Sequence, residues 1–148
     1  IVVPWVRNER SAVVGAKTTS YAENVVALRW AHERGFSEGL FMNSAGNLSE
    51  GTGTNVFVVI DGQVVTPGLN SGCLAGITRE LILEWGMAVE GELPPSALEN
   101  ADEVFLTSST RDIHPVLSLG DRQWGTAGEV SRALSAQYVR RITQDVDP

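Results

Sequence analysis

Asn55-Val56-Phe57-Val58-Val59-Ile60-Asp61-Gly62-Gln63-Val64-Val65-Thr66 spells a strand, a turn and a returning strand. The first segment is almost wholly apolar, so it predicts a buried strand. Asp61-Gly62 is a strong two-residue hairpin signal, because such turns need residues that tolerate positive φ. Pro67-Gly68 then breaks the returning strand. A buried hairpin of this kind needs cover, and the flanking sequence offers both strands and helices.

Upstream, Gly51-Thr52-Gly53-Thr54 is a permissive loop in which backbone can come close to a ligand. Residues 39–42 and 48–50 read as a second hairpin around a turn at 43–46. Residues 1–6 read as a strand that Pro4 confines to an edge or a bulge, and 12–16 as a further strand. Ser20 and Glu23 fit a capping box, with Tyr21, Val25, Leu28 and His32 recurring at helical spacing and Gly35 placed to stop the helix.

Downstream, a small-residue loop at 70–76 feeds a helix over 78–85, with Ile77, Leu81 and Trp85 as its apolar stripe and Gly86 as its end. Pro94-Pro95-Ser96 opens a short helix. Residues 104–107 and 113–117 read as strands on either side of a hydroxyl-rich loop, and 129–142 as an amphipathic helix. Hairpins mixed with helices, in 148 residues without an internal repeat, predict one α+β domain over 1–148.

The stretch Ala12-Val13-Val14-Gly15-Ala16-Lys17-Thr18-Thr19-Ser20-Tyr21 carries the chemistry. Lys17 is the only lysine; the other ten cations are arginine. A lysine that must lose its proton and attack a carbonyl has no substitute in arginine, which stays protonated. The apolar residues before Lys17 predict an approach through a buried strand, which is where lysine acquires Schiff-base chemistry.

Composition narrows the partners. A net charge of −7 and the absence of a basic run argue against nucleic acid. Cys73 is alone, so no intrachain disulfide forms, and no apolar run approaches membrane-spanning length. These features predict a cytoplasmic protein without membrane partners or a metal centre. The chain opens without an initiator Met, which reads as part of a longer polypeptide.

Three features converge on one ligand. Lys17 can form an imine. Gly76-Ile77-Thr78 opens a helix, where free N–H groups and the dipole favour phosphate, and the hydroxyls from Thr107 to Thr110 add donors. Glu50, before the glycine-rich loop, is placed to face a cationic ring nitrogen. Taken singly, each is most often a helix start, a solvated loop or a surface acid. An aldehyde, a phosphate and a protonatable ring nitrogen together describe pyridoxal phosphate.

Their order in the chain resembles the class IV fold-type of pyridoxal-phosphate enzymes, which includes branched-chain aminotransferases, D-amino-acid aminotransferases and aminodeoxychorismate lyases. The resemblance rests on Ala16-Lys17-Thr18-Thr19-Ser20-Tyr21, on Leu48-Ser49-Glu50-Gly51 followed by Asn55-Val56-Phe57, on Thr66-Pro67 with Leu74-Ala75-Gly76-Ile77-Thr78-Arg79, and on Ala101-Asp102-Glu103-Val104-Phe105-Leu106. It implies the larger C-terminal domain of the D-amino-acid-aminotransferase-like fold, a pseudo-barrel of mixed sheets with packed helices. It further implies that Lys17 is the Schiff-base and acid–base residue and that Tyr21 bonds the cofactor's phenolic oxygen. Glu50 would pair with the pyridine nitrogen, and Ile77, Thr78 and Ser109 would hold the phosphate. Arg79 would belong to the scaffold. Where the family pattern usually has Thr, this chain has Ser109.

Family members have a smaller N-terminal domain that supplies a phosphate-binding arginine and part of the substrate pocket, and they usually form dimers. That domain is absent here, which makes the isolated domain an expected poor catalyst. The resemblance implies amino-group transfer between an amino acid and a 2-oxo acid. The alternatives are elimination of pyruvate by an aminodeoxychorismate lyase, or a non-catalytic domain of the same fold. Thr18 leans toward the lyase and D-amino-acid branches, Tyr21 toward the branched-chain branch.

Overall fold

A computed structural model describes residues 1–145. Its centre is the predicted hairpin. Strands β4 (Asn55–Ile60) and β5 (Gln63–Pro67) pair antiparallel, with Val58 opposite Val65. Asp61 and Gly62 both take positive φ, 50° and 76°, as the two-residue turn requires.

The earlier strands are β1 (Val2–Arg7), β2 (Leu40–Asn43) and β3 (Leu48–Gly51); the later ones are β6 (Val89–Gly91), β7 (Glu103–Ser108) and β8 (Asp112–Pro115). They form two mixed sheets. The larger has the order β6-β5-β4-β7-β8, antiparallel throughout except for the parallel β5–β6 pair. The smaller has the order β1-β2-β3, with β1 parallel to β2 and β2 antiparallel to β3. Two-residue strands β9 (Ser118–Leu119) and β10 (Arg122–Gln123) make a separate ribbon. The expected edge position of β1 holds, and its register slips between Val2 and Val6, around Pro4, which has no N–H to give.

Among the described residues, four α-helices cover the sheets: α1 (Ala22–His32), α2 (Ile77–Glu84), α3 (Pro95–Glu99) and α4 (Glu129–Gln144). The unalternated apolar run of β4 has its explanation here. Val56 and Val58, with Val104 and Leu106 of β7, face a core shared with Leu48, Leu98 and Ala101. Phe57 and Val59, with Phe105, face the opposite way, against Ile82 of α2 and Leu134 and Tyr138 of α4. Phe57 and Phe105 stack with ring centroids 4.8 Å apart. The mixture of sheets and helices is the α+β architecture expected.

Several local expectations fail. Residues 12–16 form no strand. Ser11, Val14 and Ala16 donate to the carbonyls of Asn8, Ser11 and Val13, and Gly15 has φ 72°, so the backbone satisfies itself in consecutive turns. Val13 is 62% exposed, and Lys17 leaves this turn segment exposed rather than emerging from a buried strand. The capping box also fails. Tyr21 is the residue before α1, with no side-chain cap, and Glu23 instead pairs with Arg7 at 2.8 Å.

In α1 the buried residues are Ala27 and Ala31, not Val25 and His32. Small side chains let the helix sit close to Val3 and Phe41, with Trp30 at the margin. The predicted stop at Gly35 holds: Gly35 N–H reaches His32 and Phe36 N–H reaches Ala31, the paired bonds of a Schellman end. In α2, Ile77 is 68% exposed and Ile82 carries the burial, because Ile77 faces a cavity rather than the core.

Candidate active site

The segments carrying the predicted site residues meet at the mouth of the small sheet. Glu50 sits on β3 one residue before the 51–54 loop. Tyr21 immediately precedes α1, and Lys17 lies in the segment just ahead of it, with its Nζ 5.3 Å from the Tyr21 ring centroid. Ile77 and Thr78 open α2, and Ser109 follows β7. All six line one cavity of about 220 Å³, together with Asn24, the 51–54 loop and Thr107. A second hollow of about 230 Å³ lies under the turn segment and shares Tyr21, Asn24, Glu50 and Leu74 with the first.

The loop before α2 is held from inside. Asn55 donates from Nδ2 to the Leu74 carbonyl at 2.7 Å. A Cβ on Gly76 would lie 2.2 Å from Asn55 Oδ1, so only glycine fits beside that clamp. No side chain caps α2, and its first intrahelical bond runs from Glu80 N–H to the Gly76 carbonyl. The amides at the start of the helix therefore point, with the positive dipole end, to where the cavity lies. Thr107 Oγ1 is buried in the cavity wall without a hydrogen-bond partner.

Glu50 is the buried charge of the site. Burial pushes its carboxyl above the ordinary range, against the Leu74 N–H and the Arg7 guanidinium, which pull the other way. Leu74 N–H donates to Oε2 at 2.9 Å, and Arg7 Nε lies 3.0 Å from Oε1 as a charge contact outside hydrogen-bond alignment. Arg7 is itself fixed by Glu23 at 2.8 Å, by Asn24 Oδ1 at 3.1 Å and by stacking 4.3 Å above the Phe41 ring centroid. Asn24 then donates to the Thr52 carbonyl at 2.6 Å.

Sequence reasoning missed Arg7, Asn24 and the 74 amide. Arg7 stood at a strand end and Asn24 inside a helix, and only the reach of the Arg7 side chain past Phe41 of β2 joins them to Glu50. Arg79 is scaffold, as expected: it is 2% exposed, donates to the Pro67 carbonyl at 2.8 Å and pairs with Glu90. Among the described residues no group of three or more His, Cys, Asp or Glu is placed to hold a metal, and no helix is long and apolar enough to cross a membrane.

An amine, a buried carboxylate and an uncapped helix start around one hollow define a class of site, and comparison with known proteins gives it a family. The family model of amino-transferase class IV matches residues 1–119, and the chain belongs to that family. A Synechocystis protein named as a probable branched-chain-amino-acid aminotransferase is 35% identical over 151 residues, covering 97% of this chain and 49% of the relative. A branched-chain amino acid aminotransferase from Thermobaculum terrenum, in its PLP form, superposes with a TM-score of 0.87 at 30% identity, over 97% of this chain and 50% of that one. A provisional 4-amino-4-deoxychorismate lyase from Legionella pneumophila superposes at 0.84 with 28% identity, over 97% and 54%. The chain spans about half the length of the relatives it matches.

Proposed function

We propose that this chain is the C-terminal, cofactor-binding part of a pyridoxal-phosphate-dependent aminotransferase that moves an amino group between a branched-chain amino acid and a 2-oxo acid. One observation carries the proposal: Lys17, Tyr21, Glu50, Ile77, Thr78 and Ser109, far apart in sequence, line a single cavity. The names of the curated relatives support the substrate class.

The residues present fit the cofactor. The unpartnered Thr107 hydroxyl and the uncapped start of α2 are donors without acceptors, which suits a phosphate. Glu50 would present negative charge to a ring nitrogen. Pyridoxal phosphate, when bound, supplies an electron sink for the charge left on a substrate α-carbon. Lys17 would tether the cofactor and carry the proton from the α-carbon. Tyr21 would orient the cofactor's phenolic oxygen, and Ile77, Thr78 and Ser109 would hold its phosphate. Arg7 and the 74 amide would keep the Glu50 carboxylate in place. An N-terminal domain would close the open side, and the whole protein would act as a cytoplasmic homodimer.

The test is borohydride reduction of the full-length protein loaded with pyridoxal phosphate, followed by peptide mapping. Label on the peptide containing Lys17 is the expected result; label only on the terminal amine sinks the assignment. The Legionella likeness sets the second reading, a lyase. Pyruvate released by the full-length protein from aminodeoxychorismate, with no transfer from branched-chain amino acids to a 2-oxo acid, would decide for it.

A further inference from the structure

Two irregular segments wall the cavity, the loop 51–54 and the loop that follows β7. Residues 52–54 and 109–111 lie outside the strands that flank them. Both are tied to one group that lies outside the cavity, the carboxylate of Glu38.

Glu38 is 8% exposed. Its Oε1 accepts the N–H of Gly39 at 3.0 Å, the N–H of Thr52 at 3.1 Å and the Thr52 hydroxyl. Its Oε2 accepts the Thr54 hydroxyl at 3.4 Å and lies 3.7 Å from Arg111 Nη1, an ion pair with the second loop. The packing around it is tight. A Cβ on Gly51 would come within 2.1 Å of Thr54 Oγ1 and 3.4 Å of Glu38 Cδ. From Thr52 the bonded chain continues through Asn24 and Arg7 to Glu50. A buried carboxylate with this many donors could merely satisfy a core. Here Thr52 and Thr54, its hydrogen-bond partners beyond its own neighbour Gly39, lie on a wall of the site, and Arg111 stands two residues beyond Ser109 of the other wall; the Ile1 ammonium is a further charge acting on it.

We infer that Glu38 is a positioning residue of this site: from behind, it fixes both irregular walls of the cavity and, through Thr52, Asn24 and Arg7, the placement of Glu50. This rests on the proposed function only for what the cavity holds, not for the mechanical link. Removing the carboxylate leaves both Thr hydroxyls without their acceptor and the Thr52 amide with the Gly39 carbonyl alone. Each lost bond to a charged group is large enough to raise local opening about tenfold or more.

The experiment is amide hydrogen exchange on this chain without cofactor, comparing wild type, Glu38→Ala and Glu38→Gln. Faster exchange confined to residues 52–54 and 109–111 in Glu38→Ala, about tenfold or more, is the expected result. The amides of β4 and β7 should not change, and Glu38→Gln, which keeps an acceptor, should fall between. Should Glu38→Ala not fold, the same confined pattern in Glu38→Gln decides the matter. Uniform acceleration over the whole sheet, or no change at the two loops, overturns the inference. A parallel titration of the full-length protein with pyridoxal phosphate, read by imine absorbance, should show weakened uptake in the same order. Full-length wild type that takes up no pyridoxal phosphate sinks the proposed function, and the exchange pattern still settles the role of Glu38 by itself.

Discussion

On the role proposed for it, Glu50 would set function against stability at a single residue. Burial pushes its carboxyl upward, and the folded state therefore favours the protonated form. A group whose folded pKa is raised contributes stability that is fully present below its unfolded pKa and lost as pH rises through the folded one. Ionised Glu50 is then a cost to the fold at neutral pH. Glu50→Gln removes that cost while keeping an acceptor for the Leu74 N–H, and Arg7 retains Glu23 and Asn24. Denaturant midpoints for the cofactor-free chain should show the variant gaining on wild type as pH climbs from the ordinary carboxylate range toward neutrality. The same substitution should lower the catalytic rate of the full-length enzyme by orders of magnitude, because several kcal/mol of electrostatic stabilisation is at stake. A variant that loses ground to wild type at neutral pH would contradict this account.

Much of the site was legible at residue scale because residue identity carries it. A solitary lysine, a Glu before a glycine-rich loop and a Gly-Ile-Thr helix start are each ordinary alone, and only together do they point to one ligand. The surroundings of Lys17 were not legible. The apolar stretch before it suits a strand, but local turns capture the amides of Val14 and Ala16, and Gly15 turns the chain at positive φ. Arg7 and Glu38 were hidden for another reason. Their roles exist only where loops remote in sequence meet.

Helix ends mark the same division at the scale of elements. Gly35 and Gly86 end α1 and α2 at positive φ, and both stops were readable. The start of α4 was not, since its cap comes from another element. Glu103 of β7 accepts the N–H groups of Val130 and Ser131, both at 2.8 Å. Burial pushes the Glu103 carboxyl up, but the Ser131 and Val130 hydrogen bonds outweigh it, and the net shift is downward. A lowered folded pKa contributes stability that is present above the ordinary carboxylate pKa and lost as pH falls through the lowered value. Glu103→Ala should cost about 1 kcal/mol, the usual worth of a helix cap. Glu103→Gln should be least different from wild type in acid. Gly128 belongs to the same device: a Cβ there would sit 1.8 Å from Glu103 Cδ. Gly128→Ala should therefore reproduce much of the loss in urea titrations. Full stability in that variant would mean that the carboxylate is not the cap.

At the scale of the whole molecule, one pair of strands serves two cores. β4 and β7 give Val56, Val58, Val104 and Leu106 to one side and Phe57, Val59 and Phe105 to the other. The unalternated sequence of β4 records this sharing, which is why the centre of the fold could be read before its periphery. The short strands β6, β9 and β10 left no such record; two or three residues carry too little pattern. A shared wall has a thermodynamic consequence, since neither side can lose its packing without exposing the strands that hold the other. Trp124 packs against the first core and Trp85 against the second. With fluorinated tryptophan, the resonances of these two residues should report one common unfolding midpoint. Phe105→Ala removes a ring that is 0% exposed and stacked on Phe57. It should cost about 3–5 kcal/mol and shift both reporters together, although Phe105 faces only the Trp85 side. Early loss of the Trp85 signal, with Trp124 unfolding at its wild-type midpoint, would show the two cores to be separate cooperative units.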